Sequence, residues 1–342
     1  MINSRDKILD IMKGVAIILV IFGHQLVSMD EGNIILDVIY SFHIPLFFVI
    51  SGYLVGKTVI GDSKQWISKK FFHLVIPWSL FTFYSFFLQK DYSFSQWLGF
   101  GFIYNQLAWF LWTLFTCYII ILLVNMIYIK YPDRALFLSL LLVVLFLVCP
   151  FINIVDNNNY LGKNVISWFF SFFFLGYMIS KYNIWLSKIN QKIIYLLGTL
   201  GFVVVMQLTN WDGGWLNQSF LPTSSYIFGN QWILIGRYLQ ALTGCCLAYT
   251  ISKVIYIIPK TSDWIAWIGT KTLGIYLLTS VTVAIFPWTI TVDDGWTKII
   301  TSSIFLGAAT ILIVMFVEQF YFLSALLIGD NKGWKKILGG ER

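Results

Sequence analysis

Charge is scarce in this sequence. Of its 342 residues, 11% are Asp, Glu, Lys or Arg, where a soluble domain carries about a quarter. So few charges cannot coat a surface that faces water, which excludes a soluble protein and makes lipid the solvent. Cysteine is scarce too. Cys117, Cys149, Cys245 and Cys246 all fall in apolar runs, which suits small buried hydrophobes and neither a disulfide framework nor a zinc site. No metal is expected. The first apolar stretch has no A-x-A-like cleavage site behind it, so it is expected to remain as a span and not to be removed as a signal. The sequence shows no internal repeat and no soluble domain. Its longest loop, near 210–230, has roughly twenty residues.

What fills the chain instead is apolar: 58% of it, with 19% aromatic. Runs of around 20 apolar residues, each enough to cross a bilayer, recur along the whole length. They predict an all-α polytopic integral membrane protein, a single transmembrane domain over 1–342 with about ten transmembrane helices. The spans fall near 8–27, 35–55, 71–88, 107–128, 135–154, 165–180, 192–209, 231–257, 264–287 and 299–328. With the N-terminus inside, the cytoplasmic segments hold 19 Lys and Arg, the outer ones hold Lys90, Lys163 and Lys298, and Arg237 is left inside a span. That asymmetry predicts both termini to be cytoplasmic. The net charge of +7 therefore reads as topology and not as a nucleic-acid partner.

The polar residues inside the spans carry the chemistry, because intramembrane ionisable groups are functional candidates by default. In "RDKILDIMKGVAIILVIFGHQL", Lys13 and His24 are eleven residues apart. That is just over three turns, so they share one helix face, about 16 Å apart along the axis. Asp10, three residues before Lys13, lies on the same face and can pair with it. The plain alternative is that Lys13 and His24 snorkel to opposite headgroup layers. In "SFHIPLFFVISGYL", His43 lies within the second span. Pro45 is expected to break that helix locally and free a carbonyl. Ser51 and Gly52 form a small pair that permits close helix approach. Lys69, Lys70 and His73 form a basic cluster at the inner entrance to the third span. It serves either as positive-inside anchoring or as a site for a phosphorylated cytosolic ligand. Arg237 is expected in the outer half of the eighth span and Glu318 in the inner half of the tenth, each a site residue or half of an ion pair.

Leu9, Asp10, Met12, Lys13 and Gly14, with His24 beyond them, match a Leu-Asp-x-Leu-Arg-Gly motif followed by a His eleven residues after the Arg. Phe47, Phe48, Ser51, Gly52 and Tyr53 match a Phe-Phe-x-x-Ser-Gly-Phe/Tyr pattern. Lys69, Lys70 and Pro77, the "WFL" at 109–111 and "IGTKTLGIYLLTS" at 268–280 add weaker matches. On these residues the chain resembles acyltransferase family 3, integral-membrane O-acyltransferases that modify cell-surface glycans. Three positions depart from the family pattern. Lys13 replaces an Arg, which keeps the charge and loses the bidentate fork. His73 stands where an Arg is usual, and Thr279 where a His is frequent.

The resemblance implies a multi-pass protein of the bacterial cytoplasmic membrane. It would move an acyl group, most often acetyl, from cytosolic acyl-CoA to a hydroxyl of a cell-surface or lipid-linked glycan such as an exopolysaccharide. Acetyl-CoA would be a co-substrate, with no permanently bound cofactor. Partners would be the bilayer, the acyl-CoA, the glycan acceptor and the glycan-synthesis machinery, with no nucleic acid. His24 would be the general base or would accept the acyl group covalently. Lys13, oriented by Asp10, would hold phosphate or polarise the thioester carbonyl. Lys69, Lys70, His73 and Ser51 form the donor-binding set, and Trp109 would stack on sugar rings. His43, Trp109, Arg237 and Glu318 are secondary candidates. Two rival functions stand beside this: a glycan-intermediate transporter or flippase, which would use many of the same embedded charges without an acyl donor, and a non-catalytic membrane assembly partner.

Overall fold

A computed structural model describes residues 6–26, 34–58, 60–88, 109–131, 137, 163–181, 190–209, 231–287 and 295–337. Among them every regular element is a helix. In chain order these are α1 (Lys7–Leu26), α2 (Ile34–Gly56), α3 (Ser63–Lys70), a π-helical turn (Phe71–Val75), α4 (Ile76–Leu88), α5 (Trp109–Lys130) and α6 (Lys163–Lys181). There follow α7 (Gln191–Leu196), a second π-turn (Leu197–Gly201), α8 (Phe202–Leu208), α9 (Gln231–Tyr256), α10 (Pro259–Thr270), α11 (Thr272–Ile285), α12 (Trp296–Val317), α13 (Tyr321–Ile328) and α14 (Asn331–Ile337). The expected span 135–154 lies outside the described residues, except for Phe137.

Among the described residues, five helical stretches are long and apolar enough to cross a membrane: α1, α2, α5, Gln191–Leu208 and α12. The pair α10–α11 makes a sixth if its two halves count as one span. Three expectations are corrected. The span expected at 264–287 is bent by 74° between α10 and α11. The span expected at 299–328 is two helices, because α12 stops at Val317 and the chain turns before α13. Pro45 does not break α2, which runs on through it from Ile34 to Gly56. The proline removes one backbone donor, and the rest of the ladder holds.

The helix starts follow local chemistry. The Asp6 carboxylate accepts a hydrogen bond from the Ile8 N–H at 3.1 Å, and Asp10 adds a negative charge to the first turn of α1, where the helix dipole favours it. Asp62 caps α3 through the N–H groups of Lys64 and Gln65. Pro259 opens α10, where its missing N–H costs nothing.

The chain forms two compact units. One comprises residues 1–56, 176–220 and 230–314, the other 57–175, 221–229 and 315–342. In the first, α1 packs most extensively on α10 and also on α2, α9 and α11, while α2 packs on α9. Its core joins Met12 and Ala16 of α1, Phe42, Leu46 and Ile50 of α2, Phe202 and Met206 of α8, and Ala248 of α9. Close approach here depends on small residues, as between helices in lipid. A side-chain carbon on Gly269 of α10 would fall on the Asp10 carbonyl, and one on Gly14 of α1 on the Ile265 carbonyl. In the second unit, α4, α5, α13 and the first π-turn pack together, and α14 folds back on α13.

Candidate functional site

α1 carries the first part of the site. Lys13 Nζ lies 2.7 Å from Asp10 Oδ1, with side-chain exposures of 18% and 7%. The i,i+3 spacing puts both on one face, and Gly269 of α10 packs against the α1 backbone at Asp10. The result is a fixed cation whose counter-charge is buried beneath it. A second ion pair, Lys7–Asp263 at 2.7 Å, joins α1 to α10 nearer the surface. The sequence reading missed it, because Asp263 belongs to another element and no spacing rule connects the two.

His24, three turns further along α1, is exposed. His43 of α2 is held by Ile39 and Tyr40, the two residues that Gly23, next to His24, packs against. It is 3% exposed, its Nδ1 is 2.7 Å from the Ile39 carbonyl oxygen, and the Tyr40 ring meets it edge to face at 4.8 Å. Ser51 is half-buried further along α2, where α6 closes on that helix. A side-chain carbon on Gly176 would strike the Val49 carbonyl. That close approach falls on Val49 and Tyr53 of α2, and Gly52 is buried between them.

The donor-binding set belongs to the second unit, apart from Ser51. Lys69 is exposed. Lys70 is half-buried, with its Nζ 4.4 Å from the Tyr118 ring centroid and 5.7 Å from that of Trp66. Such an ammonium is held in place by cation–π attraction. His73 is engaged differently. It lies in the first π-turn and its Nδ1 donates to the Gly329 carbonyl at 2.5 Å. Gly329 ends α13 with φ of +63° in the left-handed region, and a side-chain carbon there would strike the His73 carbonyl. Asp330 then caps α14 through the Lys332 and Gly333 N–H groups, and Trp334 packs on Phe72 at 4.8 Å. His73 therefore latches the C-terminal helices to the π-turn.

The remaining candidates disperse. Trp109 packs against Phe169 at 5.3 Å and Phe110 at 6.2 Å, within an aromatic cluster of α5 and α6. Arg237 is buried on α9 at 6% exposure, one turn before Gln240, whose amide donates to the Thr209 hydroxyl at 2.6 Å. Glu318 is not in the interior of a span as expected. It is half-buried in the turn between α12 and α13, because α12 ends at the residue before it. Thr279, at the position where the family often has His, is buried and donates to the Ile275 carbonyl at 2.6 Å.

Comparison with known proteins adds a family and two relatives. The family described as "Acyltransferase domain" matches residues 6–329. A stretch of 68 residues is 43% identical to the nodulation protein NolL of Sinorhizobium fredii, covering 18% of this chain and 19% of that protein. A stretch of 83 residues is 35% identical to the nodulation protein NolL of Mesorhizobium japonicum, covering 22% of each. The chain thus spans about a fifth of the length of the curated relatives it matches. No solved structure matches it.

Proposed function

The chain belongs to the acyltransferase domain family, and from that premise we propose that it is a membrane-bound enzyme moving an acetyl group from acetyl-CoA to a glycan hydroxyl. The observation that carries this reading is the arrangement on α1. A fixed Lys13–Asp10 pair and an accessible His24 stand on one face of a span, inside a family match that covers nearly the whole chain. A sugar hydroxyl attacks a thioester only when a base takes its proton, and His is the side chain suited to that near neutrality. His24 is the proposed base. Lys13 is the fixed cation for donor phosphate or for negative charge growing on the thioester oxygen, where a positioned charge contributes most. Lys69 and Lys70 offer charge to the CoA phosphates.

The reading further proposes ten spans, both termini in the cytoplasm, and the bacterial cytoplasmic membrane as the site of action. The test uses purified protein, radiolabelled acetyl-CoA, and surface glycan from the source organism stripped of O-acetyl groups by mild alkali. Label is expected in the glycan, with one free CoA formed per group transferred. A protein that neither transfers nor hydrolyses acetyl-CoA would refute the proposal and leave a transporter as the better account.

A further inference from the structure

α1 and α2 meet beside His24. A side-chain carbon on Gly23 would lie 3.0 Å from the Tyr40 ring and 3.3 Å from Ile39, so the bare glycine lets α2 come up against α1 at the residue before His24. Ile39 and Tyr40 are also the two residues that hold His43, one by a hydrogen bond and the other by its ring edge. The contact that places α2 against α1 therefore also fixes the second histidine.

That second histidine has a defined tautomer. A carbonyl oxygen can only accept, so the 2.7 Å contact with Ile39 requires the hydrogen on Nδ1. In the neutral ring the lone pair is then on Nε2. A buried imidazole is a costly way to fill space in lipid. Packing would be served as well by a phenyl ring such as those of Phe42, Phe47 and Phe48 nearby in α2.

We infer that His43 is a positioning residue of the transfer, giving His24 a neighbour that carries a lone pair instead of a second proton. The inference rests on the acyl-transfer reading. In that reaction the acceptor O–H proton passes to His24, the hydroxyl oxygen bonds to the thioester carbonyl carbon, and the C–S bond breaks. The proton on His24 then passes to the departing thiolate. Between the first and last events His24 is a cation. A neighbouring lone pair stabilises that cation, and a neighbouring N–H⁺ would oppose it. His43 neither gains nor loses a proton over the cycle.

The test compares wild type, His43→Asn, His43→Gln, His24→Ala and the His24→Ala/His43→Asn double variant, with labelled acetyl-CoA and the alkali-stripped glycan. Asn places an amide N–H where Nδ1 stands, which keeps the bond to Ile39 and removes Nε2. The expected result is His43→Asn with near-wild-type melting, kcat down by about thirtyfold or more and donor KM within about threefold, the pattern of an interaction made in the transition state. In the His24→Ala background the same change should add nothing. A His43→Asn enzyme with wild-type kcat, or with raised KM and unchanged kcat, overturns the inference while the acyl-transfer reading stands. If His43→Asn does not fold, His43→Gln decides, since its amide oxygen can accept where Nε2 did. A folded His43→Gln with intermediate kcat and unchanged KM supports the inference, and a raised KM at unchanged kcat overturns it. Failure of both variants to fold makes the residue structural and overturns it as well. Absence of any transfer by wild type refutes the acyl-transfer reading itself, and this inference with it.

Discussion

His24 and Lys13 have separable roles under the proposed chemistry, and each makes its own prediction. His24→Ala should insert and fold as wild type does, because its ring is accessible and bears little packing, yet lose at least about a hundredfold in acyl transfer. Glycan acetylation near the wild-type rate would remove His24 from the mechanism. Lys13→Arg keeps the charge beside Asp10 and should retain substantial activity. Lys13→Ala leaves a buried carboxylate without its counter-charge, so it should raise donor KM tenfold or more, on the order expected for a lost charged contact, and lower the melting temperature as well. Unchanged donor kinetics would return Lys13 to the role of an anchor. The sequence made the Asp10–Lys13 pair legible because both residues lie on one helix, where spacing fixes geometry. It did not reveal the contact of Gly23 with Ile39 and Tyr40, or the Lys7–Asp263 bridge, because pairing across helices depends on packing that no periodicity encodes. Glu318 was misplaced for a related reason. An apolar run continues on both sides of it, and hydropathy does not register a turn between two apolar helices.

The most informative elements are those whose regularity is interrupted. α10 and α11 read in sequence as one apolar span, and the polar stretch Gly269–Thr270–Lys271–Thr272 at their junction is the one local signal of the bend. That bend brings α10 flat against the Asp10 end of α1, with Gly269 on the Asp10 carbonyl. Gly269→Ala should therefore displace α1 from α10. A loss of about 1–3 kcal/mol, the usual cost of overpacking, is expected in thermal or denaturant unfolding, together with a fall in activity greater than the loss of folded protein explains. A variant with wild-type stability and turnover would show that α1 tolerates a looser seat. The two π-turns were not legible either. Apart from His73, each has ordinary apolar and small residues, and an extra residue in a turn is selected by what packs on it.

For the whole molecule, composition sufficed to identify an all-helical membrane protein, and motif spacing sufficed to identify its family. The proposed orientation adds a consequence for catalysis. Lys13, Lys69 and Lys70 would face the cytosol, where acyl-CoA is made, and His24 would lie about 16 Å further along α1 towards the opposite surface. Donor should then be used from one side and product appear on the other. Tight, uniformly oriented proteoliposomes with labelled acetyl-CoA on one side and stripped glycan on the other provide the measurement. Transfer is expected only when the donor bathes the basic segments. Equal transfer from either side would dismiss the sidedness, and transfer confined to acceptor on the donor side would move the chemistry away from His24.

The bond from His73 to Gly329 spans 256 positions in the chain. Translation at about 5–20 residues per second puts on the order of 10–50 s between the two residues. During that interval the π-turn is made but the carbonyl it will hold does not yet exist. Synthesis of α3 and α4 thus precedes their final fastening, and the His73 N–H waits that long for its acceptor. A chain cut short before Gly329 would keep the π-turn and lose the contact that fastens the C-terminal helices to it.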